Sequence, residues 1–249
     1  EALGGLGEVL YRQKKLDAAE NSLNQARSMI QKSNEMVLDA RLRMVTGIVL
    51  KAQGKNNEAL QEFRNAANAL RSKKTGRDQE IQLLFNIGTV YFDNIRFSDA
   101  KKYFTEAEGL ARSLGDGIAD GYLGLFGVRC DERSVPADQI LQNVDRLAQE
   151  YQLVAQKFQA GGHRSGEAYA HAQVGRLYES VGNLSKARDE YRQALEVEET
   201  TLGEFMLPRY HHQYQEVLNL EKERSGWYAQ LASLLIQMKG KDEALSVLE

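Results

Sequence analysis

The sequence predicts an all-α solenoid built from helix-turn-helix repeats, and three observations support this fold class. A pattern of small and large residues recurs four times in the 249-residue chain, and its first three copies are 40 and 41 residues apart. Prolines occur only at Pro136 and Pro208, so the chain lacks the turn about every 8–12 residues that a β-sandwich needs. Ala, Leu, Glu, Gln, Lys and Arg, which favour helices, are frequent.

Each copy of the pattern begins at a glycine. A Leu or Tyr follows three residues later, an Ala twelve, a Leu, Phe or Tyr sixteen and a second Ala nineteen residues later; the four glycines are Gly7, Gly47, Gly88 and Gly175. A small residue lets a second helix approach closely, and the large residue fills the space beside the contact. The spacing therefore predicts two packed helices per copy, with turns near Gly54 and Gly182. A weaker fifth copy contains Ala232, Leu235, Ala244 and Leu248.

This spacing of small, aromatic and alanine positions resembles the tetratricopeptide repeat. The units are longer than usual, at about 40 residues, and are similar to the extended repeats of kinesin light chains, Pins/LGN scaffolds and Rap-type regulators. The family's proline at the end of the second helix is absent. The resemblance implies a right-handed superhelix in which the first helix of each unit lines a concave groove.

We expect a single superhelix over residues 1–249, cut from a longer chain. The expected units cover residues 1–33, 35–73, 77–115, 117–160, 165–203 and 205–249. The unit at 117–160 is divergent: its first helix contains Gly121–Cys130, and its second runs from Pro136 to Phe158. A loop is predicted for Ala160–Glu167.

The last unit carries apolar residues from Leu207 to Met238 at mostly helical spacing. This spacing predicts one long helix, or two that meet near Gly226. Such a helix would form an oligomer seam or pack on the preceding unit, and the sequence leaves both alternatives open.

Composition excludes several function classes. The 32 Lys+Arg and 35 Asp+Glu residues give a net charge of −3, which argues against nucleic-acid binding. No stretch of 18 uncharged apolar residues could span a bilayer. Cys130, the single cysteine, is expected to be a buried structural thiol.

No residue pattern supports catalysis, metal binding or a cofactor. The four histidines lack metal-ligand spacing and are expected at the surface or partly packed: His163, His171, His211 and His212. Gly161 and Gly166 are spaced as in a P-loop, but Glu167 stands where that motif requires lysine. We therefore predict a non-enzymatic chain.

The resemblance places a peptide-binding groove on the first helices. Apolar side chains are expected there, with Arg12, Lys51 and Arg176 positioned to meet carboxylates. The expected lining residues are Arg12, Met44, Ile48, Lys51, Phe85, Thr89, Phe92, Arg176 and Glu179. The alternative is that Met44 and Phe85 only pack between units. Gly4 and Glu8 stand where chaperone-binding clamps carry Lys and Asn, which disfavours that ligand.

The sequence thus predicts a protein-interaction scaffold or regulatory module that binds a peptide or amphipathic helix. The alternative is a regulatory arm of a larger signalling protein or enzyme, such as a CHAT-protease, kinase or transcription-factor fusion. Self-association through the last repeat or the Leu207–Met238 helix is a further expectation. We expect a cytoplasmic protein, or a periplasmic one if a signal or lipobox precedes residue 1.

Overall fold

The computed structural model describes residues 2–30, 35–199 and 220–237. Within these ranges the regular elements are α-helices and one short 3-10 helix, and no β-strand occurs. The chain divides into two compact units, Glu1–Leu110 and Ala111–Glu249. The all-α prediction is therefore confirmed, and each unit is described by itself.

The first unit consists of three consecutive helical hairpins. Neighbouring helices pack against each other along the chain, and the first helices of adjacent hairpins also touch. The helices are α1 (Ala2–Arg12), α2 (Leu16–Ile30), α3 (Met36–Ala52), α4 (Asn56–Lys73), α5 (Arg77–Asp93) and α6 (Phe97–Ser113), whose last residues belong to the second unit.

At the repeated glycines the second helix of the hairpin packs too closely to leave room for a side chain. A β-carbon added at Gly47 would lie 2.4 Å from a ring carbon of Phe63. Gly88 stands in the same relation to Phe104, also at 2.4 Å. Both rings are completely buried. The small-to-large contact predicted from the sequence spacing is therefore confirmed.

The turn inside each regular hairpin needs a left-handed backbone seven residues after its glycine. Gly54 (φ 78°) and Gly182 (φ 76°) supply it without steric cost. In the other two hairpins the same position is occupied by residues other than glycine, Lys14 (φ 60°) and Ile95 (φ 61°). Because Ile95 is β-branched, its backbone is strained there.

Replacing Ile95 with glycine should raise the free energy of unfolding by about 1 kcal/mol. The strain disappears, and little packing is lost because Ile95 is 77% exposed. Urea denaturation measures the change. The same substitution at Ile236, an exposed position inside a helix, is the control and should destabilise. A loss of stability in Ile95→Gly would contradict the proposed strain.

The second unit is likewise built of packed helices. Its elements are α7 (Gly117–Ser134), a 3-10 turn (Ala137–Gln139), α8 (Ile140–Ala160), α9 (Arg164–Ser180), α10 (Leu184–Glu199) and α11 (Leu220–Gln237). Consecutive helices pack together, and α9 also contacts α7 and α11.

Two sequence predictions for the divergent hairpin need correction. Its second helix begins at Ile140 rather than Pro136, because the chain first forms a 3-10 turn. The predicted loop Ala160–Glu167 is only a short turn at 161–163, because Glu167 already lies in the first turn of α9. This hairpin also has a close contact between a small and a large residue, which lie near the start of α7 and the end of α8. A β-carbon added at Gly121 would lie 2.5 Å from the Phe158 ring.

The helix predicted over Leu207–Met238 is only partly covered, since residues 207–219 and 238 lie outside the described ranges. Within those ranges α11 runs through Gly226 without a break. Trp227, Leu231 and Leu235 are buried, and α11 packs on α10 and α9. This part of the helix therefore packs on the preceding hairpin, and an oligomer seam stays a prediction.

Candidate functional site

The groove residues predicted in the first unit lie on α1, α3 and α5, but not all of them face outward. Phe85 is 1% exposed and packs against Phe104 with ring centroids 5.9 Å apart. Thr89 is 4% exposed. The prediction that these two line an open groove is wrong, because Phe85 packs inside its hairpin and Thr89 is buried at the contact with Lys51 of α3. The ring contact of Phe85 lies within its own hairpin, between α5 and α6, whereas the alternative was packing between units.

The other predicted side chains of this unit are more accessible. Arg12 is exposed, Met44 and Ile48 are half-buried, and Phe92 packs edge to face on Phe97. Lys51 meets a carboxylate of its own chain: its Nζ lies 2.8 Å from Asp93 Oδ2 and donates to Thr89 Oγ1 at 3.0 Å. This ion pair joins α3 to α5.

A concave site lies in the second unit, between α7, α8, α9 and α11. It is a cavity of about 470 Å³, and among its lining residues is Arg176, which the sequence singled out. We call it the α7–α9–α11 cavity. It is lined by Arg129, Glu132, Arg133, Tyr151, Tyr169, Ala172, Gln173, Arg176, Gly226, Trp227 and Gln230.

A chain of charged hydrogen bonds lines this cavity. The Tyr151 hydroxyl donates to Glu132 Oε2 at 2.6 Å, and Arg176 Nη2 donates to Glu132 Oε1 at 2.6 Å. Arg176 Nε donates to Gln173 Oε1 at 2.9 Å. Both carboxylate oxygens of Glu132 are thus engaged, and the Arg176 guanidinium is held in one orientation.

The same contacts set the protonation states. Burial, reinforced by the neighbouring Glu132 charge, raises the pKa of the Tyr151 phenol well above its ordinary value. Burial acts against the charge of Arg176, but Glu132 more than offsets it, so the pKa of Arg176 is raised. At neutral pH Tyr151 is therefore a neutral phenol and Arg176 a guanidinium cation.

Replacing Tyr151 with phenylalanine should lower stability at pH 7 by about 1 kcal/mol, because Glu132 loses a hydrogen bond. Since the folded pKa of this phenol is raised, its stabilisation is fully present below about pH 10, the ordinary tyrosine pKa, and is lost as the pH rises above it. The difference between wild type and Tyr151→Phe in urea denaturation should therefore shrink above pH 10. A difference that grows with pH would contradict the assignment.

The aromatic wall of the cavity comes from α9 and α11. Trp227 and Tyr169 are both buried, and their ring centroids are 6.4 Å apart. Trp227 is the single tryptophan of the chain. Sequence reasoning missed it as a site residue, and also missed Glu132 and Arg133, because the repeat pattern does not show how α11 lies against α9.

Glu179, the last of the predicted groove residues, does not line this cavity. Its Oε2 accepts a hydrogen bond from the Tyr191 hydroxyl at 2.9 Å. It therefore joins the two helices of its own hairpin. Burial, followed by this contact with Glu179, raises the pKa of Tyr191.

One histidine is more deeply placed than predicted, and another is partly packed, as expected. His163 is 1% exposed, and its Nδ1 accepts the backbone N–H of Gly166 at 2.8 Å, which caps α9. Its Nε2 lies 3.2 Å from the Tyr122 hydroxyl. His171 Nδ1 lies 2.8 Å from Glu190 Oε2, beside a second cavity of about 250 Å³ lined mainly by glutamines. His211 and His212 lie outside the described residues.

Three further observations concern the other chemistry that the sequence raised. Cys130, the single cysteine of the chain, is buried, as expected. In the described part of the chain no group of three or more His, Cys, Asp or Glu side chains is arranged to hold a metal. None of the helices seen there is long and apolar enough to cross a membrane.

Comparison with known proteins agrees with this architecture. A model of the tetratricopeptide repeat family matches residues 168–201. No curated protein matches the sequence. The apo form of RapI is 12% identical with a TM-score of 0.66, and the match covers 98% of this chain and 93% of that chain.

Two further solved structures match at similar identity. NprR in complex with its cognate peptide NprX is 12% identical with a TM-score of 0.53, and the match covers 99% of this chain and 64% of that chain. A signal-transduction ATPase with numerous domains and a tetratricopeptide repeat sensor, from Pyrococcus horikoshii, is 15% identical with a TM-score of 0.66. That match covers 99% of this chain and 38% of the ATPase. The resemblance inferred from the sequence is thus confirmed: the chain is built of tetratricopeptide-like helical hairpins, one of which, at residues 168–201, matches the family model.

Proposed function

We propose that this chain is a non-enzymatic protein-interaction module that binds a peptide segment of a partner in the α7–α9–α11 cavity. The cavity itself is the observation that carries the proposal. Its volume of about 470 Å³ lies in the range of about 300–1,000 Å³ typical of ligand sites. The structure of NprR with a cognate peptide supports peptide binding as a use of this fold.

The lining suits a peptide better than a small hydrophobic molecule. Arginine and glutamine side chains can bond to peptide carbonyls and side chains, while the ring edges of Tyr169 and Trp227 offer apolar contact. The Glu132–Arg176 bond holds the donors of the cavity in place before a ligand arrives, which lowers the entropy cost of binding.

A cavity-filling variant tests this proposal. A β-carbon added at Gly226 meets no atom within 4 Å, so Gly226→Phe should place a ring in the cavity without distorting α11. Partners are captured from a lysate, and binding is then measured with a synthetic peptide from the captured protein. Wild type should bind that peptide, and Gly226→Phe should bind it at least tenfold more weakly, about 1.4 kcal/mol.

Gly109→Phe is the matched control. Gly109 is an exposed helical glycine whose added β-carbon also meets nothing within 4 Å, and it is not part of the cavity lining. This variant should bind like wild type. Equal binding by Gly226→Phe and wild type would overturn the placement of the site.

A second candidate function is that of a sensing arm in a larger signalling protein. The match to the ATPase with a tetratricopeptide repeat sensor, in which this chain covers 38% of the longer protein, favours it. Immunoblotting of the source cells tests this candidate. A species much longer than 249 residues would support it, and a species of that length would contradict it.

A further inference from the structure

The described lining of the α7–α9–α11 cavity contains more basic than acidic side chains. Arg129, Arg133 and Arg176 line it, and Glu132 is the one carboxylate among the lining residues that the structure describes. Both Glu132 oxygens already accept hydrogen bonds from inside the chain. Both oxygens of this acid are thus engaged, and Arg133 adds a positive charge to the described lining although the whole chain is acidic, with a net charge of −3.

Arg176 has donors left for a ligand. Its Nε is bonded to Gln173 and its Nη2 to Glu132. Neither contact uses Nη1, and the side chain is 42% exposed. A guanidinium held at one edge and open at the other is arranged to bind a second oxygen group without reorganisation.

Arg133 adds a second cation at the same cavity. It is exposed on the last turn of α7. Arg129, one turn earlier, lies with its guanidinium 5.4 Å from the centre of the Phe126 ring, which it contacts through a cation–π interaction. Two arginines from α7 and one from α9 thus flank the space that a ligand would enter.

We propose that the cavity recognises an anionic oxygen group on the partner peptide, either a side-chain carboxylate or a phosphoryl group, through Arg176 and Arg133. This inference rests on the proposed function and names the chemistry of its ligand. Planar guanidinium groups bind both kinds of oxyanion with paired hydrogen bonds. Glu132 and Tyr151 act as positioning residues because they orient Arg176.

The test uses four biotinylated peptides on a biosensor, with a common frame Gly-Ser-Leu-Phe-X-Leu-Ser-Gly and Glu, Gln, phosphoserine or Ser at X. The Glu and phosphoserine peptides should bind at least tenfold more tightly than their neutral counterparts, since hydrogen bonds to charged groups are the strong ones. Their affinity should fall as salt is raised from about 0.05 to 0.5 M. The preferred anion identifies the source of the oxyanion.

Variants assign the effect to the cavity. Arg133→Gln and Arg176→Gln should each weaken the anionic peptides about tenfold and leave the neutral ones unchanged. Arg133 is exposed, so its variant keeps the test valid if Arg176→Gln destabilises the fold through the orphaned Glu132. Arg188→Gln is the charge-matched control: it lies on α10, pairs with Asp189 and is not part of the lining.

The outcomes separate the inference from the proposed function. Equal affinity for Glu and Gln peptides, with binding still lost in Gly226→Phe, would overturn the anionic ligand and keep the peptide site. Equal weakening by Arg188→Gln would show nonspecific charge attraction and would also overturn the inference. Failure of all four peptides to bind would also contradict the inference. The proposed function would then be tested separately, by the binding of the captured partner's peptide to wild type and Gly226→Phe.

Discussion

Gly88→Ala should lower the free energy of unfolding by about 2 kcal/mol, although alanine is the better helix former. The added β-carbon would stand 2.4 Å from a ring carbon of Phe104. That ring is completely buried and also packs against Phe85, so it cannot move aside without disturbing the core. Either helices α5 and α6 must move apart, or the Phe104 side chain must adopt a strained rotamer. Both changes lower the free energy of unfolding.

Gly109→Ala supplies the matched control for this prediction. Gly109 lies in the partner helix α6, is exposed, and its added β-carbon meets nothing within 4 Å. The substitution should raise stability by up to about 1 kcal/mol through helix propensity alone. In urea denaturation, the change in free energy of unfolding should therefore be negative for Gly88→Ala and positive for Gly109→Ala. A stabilised Gly88→Ala would show that the two helices are further apart than described.

His163→Ala should cost about 3 kcal/mol, the largest effect expected from a single substitution here. Two losses add: the cap of α9, and a buried ring that fills the space beside Phe158 and Tyr122. Because Nδ1 accepts the Gly166 N–H, the ring is the neutral tautomer with its hydrogen on Nε2, which donates to the Tyr122 hydroxyl.

Two variants separate these losses in thermal and urea denaturation. His163→Asn keeps a side-chain acceptor for the helix start and should recover about 1 kcal/mol relative to His163→Ala. His171→Ala removes a partly exposed histidine that pairs with Glu190 and should cost about 1 kcal/mol or less. If His163→Ala lowered the free energy of unfolding no more than His171→Ala, the assignment of His163 as a buried cap of α9 would be contradicted.

The helical hairpins could be predicted because their determinants are local. Gly47 and Phe63 are sixteen residues apart in sequence, a distance spanned by one hairpin, and their spacing alone indicates a contact that the structure contains. The left-handed turn at Gly54 follows from the same register. Such features need no knowledge of distant parts of the chain.

Exposure within the groove could not be predicted from the same register. Met44 and Phe85 both stand three residues before their repeat glycine, yet Met44 is half-buried and Phe85 is buried. The difference depends on the side chains that neighbouring helices contribute, such as Phe104. Register determines the face of a helix, and tertiary packing determines how much of that face stays open.

The candidate site depends still more on tertiary packing. Arg176 was found from its register, but its partner Glu132 is 44 residues away and lies in the divergent hairpin. Trp227 reaches the cavity only because α11 packs on α9. His163 likewise looked like a loop residue, because its capping role depends on where α9 begins.

Site-specific photocrosslinking tests the central claim, peptide binding in the α7–α9–α11 cavity, most directly. A benzophenone amino acid replaces Gln230, which lines the cavity, and in a second sample it replaces Lys102, an exposed residue on α6 outside the lining. Irradiation in the source lysate should join a partner peptide to the Gln230 position and not to the Lys102 position. Crosslinking at Lys102 alone, or at neither position when capture shows a bound partner, would contradict the account.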